Sequence, residues 1–323
     1  MKNLLVSLLL TILFVMSGCT SDKNKKSDYS YYYEKGKNAC DSLNYSEAID
    51  YFDKSIELNS DTVNNKSYVL RGECYLKSGR LDLALSEFNY LIKNREGNYS
   101  YYLGRGKVYY SKKKYEDALA DFNKAIVLNN NNAEVYIERA NTLNIMKEHK
   151  EALESINKAL ILDPVNKEAI YSRALIYYEN EDYDKALNDF LDYCTKDPNK
   201  PIVNFFIGEI YNGKEKYELA QSYLTKSIDL NMEGVYALAQ RSLAFVRLHK
   251  YDEAIADLSK AISIDSNSAN LYVSRGNIYY EIYSLDIKAI NDWRKAFEID
   301  PSKKELIVKM DKANKKIESR RKL

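Results

Sequence analysis

Hydrophobic and polar positions follow a helical period along most of the chain, in segments of roughly three to four turns separated by short polar stretches. In a typical segment, Tyr115–Ala125, the apolar residues Ala118, Phe122 and Ala125 recur at spacings of four and three. Such spacings place apolar side chains on one face of an amphipathic helix. The 323 residues include only 11 Gly and 4 Pro, which is few backbone breakers for so long a chain. The pattern therefore predicts an all-α protein with short turns.

The helical segments recur at a fixed period. Successive copies of a central alanine are 36, 34, 34, 34, 34, 34 and 35 residues apart, at Ala48, Ala84, Ala118, Ala152, Ala186, Ala220, Ala254 and Ala289. Four residues after each alanine comes a large apolar residue: Phe52, Phe88, Phe122, Ile156, Phe190, Leu224, Leu258 and Trp293. Twelve or thirteen residues before each alanine comes a small one: Gly36, Gly72, Gly106, Ala140, Ala174, Gly208, Ser242 and Gly276. Small residues at these positions let two helices approach closely, and the large residue fills the space beside them.

This spacing resembles the tetratricopeptide repeat, a helix-turn-helix unit of 34 residues. The resemblance covers residues 29–301, with units that begin near 29, 65, 99, 133, 167, 201, 235 and 269. It implies a right-handed α-solenoid of about eight units, stacked as one continuous array because no single helix pair buries its apolar face alone. Pro164, Pro198 and Pro301 stand at three of the unit junctions, as the family pattern implies.

The segment 302–323 continues the helical pattern beyond the last unit. Leu306, Met310, Ala313 and Ile317 recur at spacings of four, three and four, which predicts a capping helix over the last repeat. Nine Lys or Arg residues against three Asp or Glu make this helix basic. A solvated outer face is the simplest interpretation of that charge, and contact with an anionic lipid or polymer is the alternative.

The first 18 residues have the features of a targeting segment. Lys2 precedes an apolar run, Leu4–Met16, which has the length of a signal-peptide core and is short for a membrane span. The run ends at Ser17-Gly18-Cys19, and small residues directly before a cysteine resemble a bacterial lipobox. The resemblance implies that Cys19 becomes the acylated, palmitate-bearing N-terminus and that 19–28 forms a polar tether. We expect a lipoprotein anchored in a membrane of the bacterial cell envelope, outside the cytoplasm; an ordinary cleaved signal or an uncleaved anchor is the alternative.

The amino-acid composition argues against several classes of function and of binding site. The 48 basic and 47 acidic residues nearly balance, which argues against a strongly basic nucleic-acid binder. Four Cys and two His leave little material for a metal site or a disulfide scaffold. Cys40 and Cys74 lie late in the first helices of adjacent units and could approach each other. Free thiols are their expected state, and whether they pair is left open.

Two glycine-containing strings imitate nucleotide-binding motifs. Gly104-x-Gly106 lacks the third glycine of a dinucleotide fingerprint, and Gly208–Lys214 lacks the final Ser or Thr of a phosphate loop. Both fall inside helical segments and follow no strand. His149 and His249 are 100 residues apart and lack metal-ligand spacing. We therefore expect no catalytic residue, no cofactor and no metal.

The family resemblance also implies where partners bind. In tetratricopeptide repeats the first helices of the units line a groove, and carrying its positions onto this chain gives Tyr33, Lys37, Lys66, Lys77, Lys107, Tyr110, Asn141, Asn144, Tyr171, Tyr178, Phe205, Asn212, Tyr236, Arg247, Asn277 and Tyr280. Tyrosine offers a rigid apolar face with a polar tip, and asparagine both donates to and accepts from a peptide backbone. The same positions also carry acidic residues: Asp41 and Glu73 in units 1–3, and Glu134, Glu168, Glu179, Glu209 and Glu281 in units 4–8. Basic groove positions therefore predominate in units 1–3 and acidic ones in units 4–8. This suggests a partner with an acidic part followed by a basic part.

These observations predict a membrane-tethered, non-catalytic scaffold that binds protein or peptide partners, with a role in assembling complexes of the cell envelope. A lipoprotein that binds glycan or peptidoglycan is the alternative. The chain also contains 30 Tyr. Half of them fall at three recurring unit positions, and we interpret those as helix-packing residues rather than binding residues.

Overall fold

The computed structural model describes residues 28–58, 66–94, 97–232 and 234–321. These residues form seventeen α-helices and no strand, which confirms the prediction of an all-α repeat fold. None of the helices in this part of the chain is long and apolar enough to cross a bilayer. The targeting segment 1–18, Cys19 and the tether up to residue 27 lie outside the described residues.

Sixteen of the helices form eight consecutive pairs. The first helix of each pair is α1 (Tyr29–Asp41), α3 (Lys66–Lys77), α5 (Tyr99–Ser111), α7 (Ala133–Ile145), α9 (Lys167–Glu179), α11 (Pro201–Gly213), α13 (Val235–Arg247) and α15 (Ala269–Glu281). The second is α2 (Tyr45–Leu58), α4 (Leu81–Asn94), α6 (Tyr115–Leu128), α8 (His149–Leu162), α10 (Tyr183–Lys196), α12 (Tyr217–Asp229), α14 (Tyr251–Ile264) and α16 (Asp286–Ile299). A single helix, α17 (Glu305–Arg321), follows the last pair.

The helices group into two compact units that meet within α9, between Ser172 and Arg173. We call them the N-terminal unit and the C-terminal unit. In each unit, the two helices of a pair pack against each other and against neighbouring pairs.

The interface between the two helices of a pair, here called the seam, is built as the repeat pattern predicts. All eight central alanines have no exposed surface, and the large residues four positions later are at most 2% exposed. A Cβ added at Gly106 would lie 2.5 Å from Cε1 of Phe122. That separation is well inside van der Waals contact, so the small residue on the first helix is what allows the aromatic ring of the second to be buried.

An arginine that the sequence analysis overlooked holds most seams together. It directly precedes the small seam residue, at Arg71, Arg105, Arg139, Arg173, Arg241 and Arg275, and we call these the seam arginines. Arg105 binds Asp121 on α6 through two hydrogen bonds of 2.7 and 2.8 Å. It also donates to Asn89 on α4 of the preceding pair, at 2.9 Å. One guanidinium thus connects three helices.

The same arrangement recurs with conservative changes. Arg241 and Arg275 each bind a carboxylate, Asp257 and Asp292, and reach a hydroxyl on the preceding second helix. Arg139 uses Ser155 and Asn123 instead. Planar guanidinium groups suit this role because they present several N–H donors in a fixed fork.

Recurrent tyrosines pack on these guanidinium groups. The Arg105 guanidinium lies 5.8 Å from the ring centre of Tyr102 and 5.7 Å from that of Tyr109. Arg275 repeats this contact with Tyr272 and Tyr279. Tyrosine faces attract cations and shield them from water. Much of the tyrosine excess therefore belongs to the seams, consistent with the packing interpretation.

The capping helix α17 covers the last pair. Leu306 and Ala313 are fully buried, and Met310 and Ile317 pack against the same core, which confirms the predicted apolar face. Its basic residues are also used within the chain: Lys316 and Arg320 approach the buried carboxylate of Asp286, at 3.2 and 2.6 Å. Part of the positive charge of this helix therefore neutralises a buried acid.

We predict that Asp121→Ala destabilises the N-terminal unit by about 2–4 kcal/mol, because it leaves the half-buried Arg105 guanidinium without its carboxylate. Lys124→Ala on the same helix, at an exposed position, should change stability by less than about 0.5 kcal/mol. Urea unfolding followed by circular dichroism measures both. Equal effects of the two substitutions would contradict a structural role for the ion pair.

Candidate partner-binding groove

Two adjoining cavities open on the first helices of the C-terminal unit. The first encloses 640 Å³ between the end of α9, the start of α10, α11 and α13. The second encloses 720 Å³, mainly between α13 and α15. Gln240 and Leu243 line both cavities. We call the combined surface the C-terminal groove.

A chain of hydrogen bonds fixes the polar side chains of the first cavity. Tyr178 donates to Oε2 of Glu209 at 2.6 Å, and Nε2 of Gln240 donates to the other carboxylate oxygen at 3.0 Å. Asn212 donates through Nδ2 to the backbone carbonyl of Gln240 at 2.8 Å and to its Oε1 at 3.0 Å. These four side chains come from three first helices, so the groove is organised across repeats.

Asn212 contributes an acceptor that nothing in the described part of the chain satisfies. Its side chain is 6% exposed and lines the first cavity. Because Nδ2 donates to a backbone carbonyl, the amide orientation is settled and Oδ1 must point elsewhere. Oδ1 has no hydrogen-bond partner among the described residues. The side chain of Asn212 therefore acts in this cavity through its N–H groups, which hold Gln240 in place.

The first cavity is rich in carboxylates. Glu181, Asp182, Asp184 and Glu209 line it together with one lysine, Lys214, which is paired with Asp184. Burial and the hydrogen bond to Glu209 raise the pKa of Tyr178, so its hydroxyl remains a donor at neutral pH. The cavity therefore favours a ligand that carries positive charge.

The second cavity adds apolar surface. Tyr236 is 80% exposed and Leu243 is 41% exposed, and both line it with Asn277. Arg247 and Glu281 stand at the same cavity. An exposed aromatic ring beside fixed polar groups is suited to contact with side chains of a bound segment.

The first-helix surface of the N-terminal unit differs at Lys107, whose charge is paired with acidic residues of the next pair. Lys107 forms ion pairs with Glu134 and with Glu138, the latter at 3.5 Å. Burial alone would lower the pKa of Lys107, but Glu138 and Glu134 raise it. Burial raises the pKa of Glu138, and the charge of Lys107 partly opposes this shift. Burial also raises the pKa of Glu73, where the charges of Lys107 and Lys77 partly oppose the shift. Lys107 is therefore not free to meet an acidic partner, which corrects that part of the charge hypothesis.

The structure brings some of the predicted groove residues together and separates others. Tyr178 and Asn212 line the first cavity, and Tyr236, Arg247 and Asn277 line the second. Tyr33 and Lys66 share a smaller cavity of 380 Å³ in the N-terminal unit. The remaining positions of that unit lie outside these cavities: Lys37 and Lys77 are exposed, whereas Tyr110, Asn141, Asn144 and Tyr171 are half-buried.

Three predicted groove residues make contacts within the chain. Phe205 is only 8% exposed, and its ring lies 5.6 Å from that of the half-buried Phe206. Asn277 accepts hydrogen bonds from Trp293 and from Lys309 of the capping helix, at 3.2 and 2.9 Å. The ammonium group of Lys316 lies 4.7 Å from the ring centre of Tyr280. The chain's own C-terminal helix thus occupies part of the surface that these two residues offer.

Sequence reasoning missed Gln240 and Leu243, which lie at the junction of the two cavities. Gln240 occupies the sixth position of its unit, as Glu138 does in the N-terminal unit. Both side chains face the groove positions of the preceding pair. The repeat register could have identified this position, since it recurs every 34 residues.

The glycines of the two nucleotide-like strings have packing roles. A Cβ at Gly104 would lie 2.3 Å from Phe88, and one at Gly208 would lie 2.6 Å from Leu224. Both glycines are inside helices, α5 and α11. Among the described residues there is no group of three His, Cys, Asp or Glu side chains placed to hold a metal ion.

Comparison with known families identifies this architecture. Family models described as tetratricopeptide repeat match residues 33–99, 147–201 and 203–231, and one described as TPR repeat matches 106–144 and 243–282. Together they cover more than half of the chain. The chain belongs to the tetratricopeptide repeat family. Proteins of this family bind protein or peptide partners and are generally non-catalytic scaffolds.

Individual proteins resemble parts of the chain. RNA polymerase II-associated protein 3 of Xenopus tropicalis is 29% identical over 128 residues, which cover 40% of this chain and 19% of that protein. The chain thus spans about a fifth of the length of the curated relatives it matches. The APC/C hetero-tetramer Cut9–Hcn1 matches with a TM-score of 0.60 and 17% identity, over 83% of this chain and 52% of that one. This similarity shows the fold alone.

A second solved structure is closer in sequence. YrrB, described as a TPR protein with an unusual peptide-binding site, is 26% identical with a TM-score of 0.53. The match covers 58% of this chain and 95% of YrrB.

We predict that Tyr178→Phe lowers the stability of the C-terminal unit by about 1 kcal/mol at neutral pH, because Glu209 loses a hydrogen bond. The folded state raises the pKa of Tyr178 above its ordinary value of 10.0. The advantage of tyrosine over phenylalanine should therefore be complete below pH 10 and decline as the pH rises further. Urea unfolding between pH 7 and 11 measures the difference. Tyr236→Phe, at an exposed ring, serves as the control, and a difference that stays constant above pH 10 would contradict the assignment.

Proposed function

We propose that this protein is a non-catalytic scaffold whose C-terminal groove binds an extended, basic peptide segment of a partner protein. The observation that carries the proposal is the carboxylate of Glu209, which Tyr178 and Gln240 hold in place in a cavity rich in acidic side chains. A lysine or arginine of an extended peptide can meet Glu209 there. Asn212 supports this arrangement, because its amide donates to Gln240.

The remaining surface suits the same ligand. The exposed faces of Tyr236 and Leu243 can contact apolar side chains further along the peptide. Because the polar groups already bond to one another, little conformational entropy is lost when a ligand binds. The peptide-binding site named for YrrB, which shares the fold, also supports this ligand class.

The proposal is tested with two fluorescein-labelled pools of short, unstructured peptides, one rich in Lys and Arg and one rich in Asp and Glu. Fluorescence anisotropy with the full chain should show roughly tenfold tighter binding of the basic pool at low salt. Glu209→Gln should weaken that binding about tenfold, with a smaller effect at high salt. Asn212→Ala should weaken it at both salt concentrations, because Gln240 loses an uncharged partner that holds it beside Glu209.

Matched controls lie on exposed positions of second helices. Glu218→Gln and Asn188→Ala make the same chemical changes away from the groove and should leave binding unchanged. Equal binding of both pools, or full binding by both groove variants, would overturn the proposal. Binding of soluble peptidoglycan fragments in place of basic peptides would support the glycan alternative instead.

We further propose that Cys19 carries the lipid anchor and places the groove at a membrane surface of the bacterial cell envelope, where it assembles envelope complexes. The lipobox-like Ser17-Gly18-Cys19 supports this location. Acyl chains contribute about 0.8 kcal/mol per buried methylene, so two or three chains hold a protein firmly. Asp28, at the end of the proposed tether, caps α1 by accepting a hydrogen bond from the Ser30 amide.

In the producing cells, Cys19→Ser should abolish incorporation of an alkyne-labelled fatty acid and release the protein from the membrane fraction. Cys194→Ser, which leaves the lipobox intact, should change neither result. Labelling that persists in the Cys19→Ser variant would rule out this anchor, whatever the groove binds.

A further inference from the structure

Two cysteines meet in the core between the first and second helix pairs. Cys40 lies on α1 and Cys74 on α3, 34 residues apart, and their Sγ atoms are 2.9 Å from each other. Cys40 is 8% exposed and Cys74 is fully buried. Neither cysteine lines the proposed groove, and the proposed anchor is a different residue, Cys19, so neither the proposed binding nor the proposed anchor uses them.

The surroundings of the pair exclude most thiol chemistry. Ala39, Ile49 and Phe52 form an apolar cluster around it. Burial and the hydrogen bond between Cys74 and Cys40 raise the pKa of the Cys74 thiol, which keeps it protonated and unreactive toward external electrophiles in the folded protein. No group of three potential metal ligands occurs within the described ranges. The reaction that this geometry favours is the joining of the two sulfurs.

The first helix pair also has a particular need for a cross-link. At its seam, Lys35 and Tyr51 occupy the positions held by Arg105 and Asp121 in the third pair, so the seam arginine is replaced. Lys35 is exposed and its ammonium group lies near Tyr31 on its own helix. Within the described residues this pair packs against one neighbouring pair only. In a stacked repeat protein an inner helix pair is stabilised by interfaces with two neighbouring pairs, whereas a pair with one neighbour has one such interface.

We propose that Cys40 and Cys74 form a disulfide that ties the first helix pair to the second. In the reaction, the Cys40 thiolate attacks a sulfur of a protein or glutathione disulfide and releases one thiol. Cys74, once deprotonated, attacks Sγ of Cys40 in the mixed disulfide and releases the second thiol. Two electrons pass to the oxidant, whose disulfide becomes two thiols, and one S–S bond forms in the protein.

The burial of the pair determines when this reaction occurs. An oxidant cannot reach a fully buried Cys74 in the folded chain, so the bond forms while the two helix pairs are still docking. The same burial protects the finished disulfide from reductants in solution. The proposal suits an oxidising compartment, and it stands independently of what the groove binds.

The test uses the full chain, reduced and unfolded in urea and then refolded in a buffer of oxidised and reduced glutathione. Non-reducing protease digestion and mass spectrometry should find the Cys40 and Cys74 peptides joined, with the mass of two hydrogens missing. The oxidised protein should unfold about 5–10 °C higher than the protein refolded with a phosphine reductant.

Variants separate this bond from other thiol effects. Cys40→Ser and Cys74→Ser should each abolish the difference between oxidised and reduced protein, whereas Cys194→Ser should preserve it. Complete alkylation of both Cys40 and Cys74 after refolding would overturn the proposal. Linkage of either one to Cys19 or Cys194 would also overturn it, and this readout does not depend on the stability of any variant.

Discussion

A half-buried guanidinium shared by three helices organises the packing of most repeats in this fold. Arg105 bonds to Asp121 within its own pair and to Asn89 of the preceding pair. Its removal from water is tolerable only because every strong partner is present, and a missing carboxylate would leave an uncompensated charge. Hydrogen bonds have preferred directions as well as preferred lengths. These bonds therefore set the rotation about its own axis of each first helix that carries the arginine.

That rotation places the groove side chains. Lys107 follows Arg105 by two positions, which turns it to nearly the opposite side of α5. With the arginine held in the seam, Lys107 faces Glu134 and Glu138 of the next pair. Glu209 bears the same relation to Ile207, the buried residue that replaces the arginine in the sixth pair. One packing rule therefore produces a charge-paired surface in the N-terminal unit and an acidic groove in the C-terminal unit.

The predictable part of the site follows from the repeat register. Tyr178, Asn212 and Tyr236 were found from their unit positions alone, because a 34-residue period fixes which side of a helix each position faces. Phe205 obeys the same register and is nevertheless buried, with its ring in edge contact with that of the half-buried Phe206. The repeat register identifies the side of the helix on which a residue lies, but the neighbouring side chains determine how much of that residue is exposed to solvent.

The helices, the pairs and the seam residues can be predicted from the sequence, because local spacing encodes each of them and every copy repeats that spacing. The same spacing accounts for half of the thirty tyrosines, which recur with the packing positions. The pairing of polar groups, in contrast, becomes visible only in the folded arrangement of the helices. The hydrogen-bond chain from Asn212 to Glu209, the capping-helix contact at Tyr280 and the meeting of Cys40 with Cys74 all join residues of different helices. Such contacts depend on the distances between helices of different repeats, and the residue spacing within one repeat does not specify those distances.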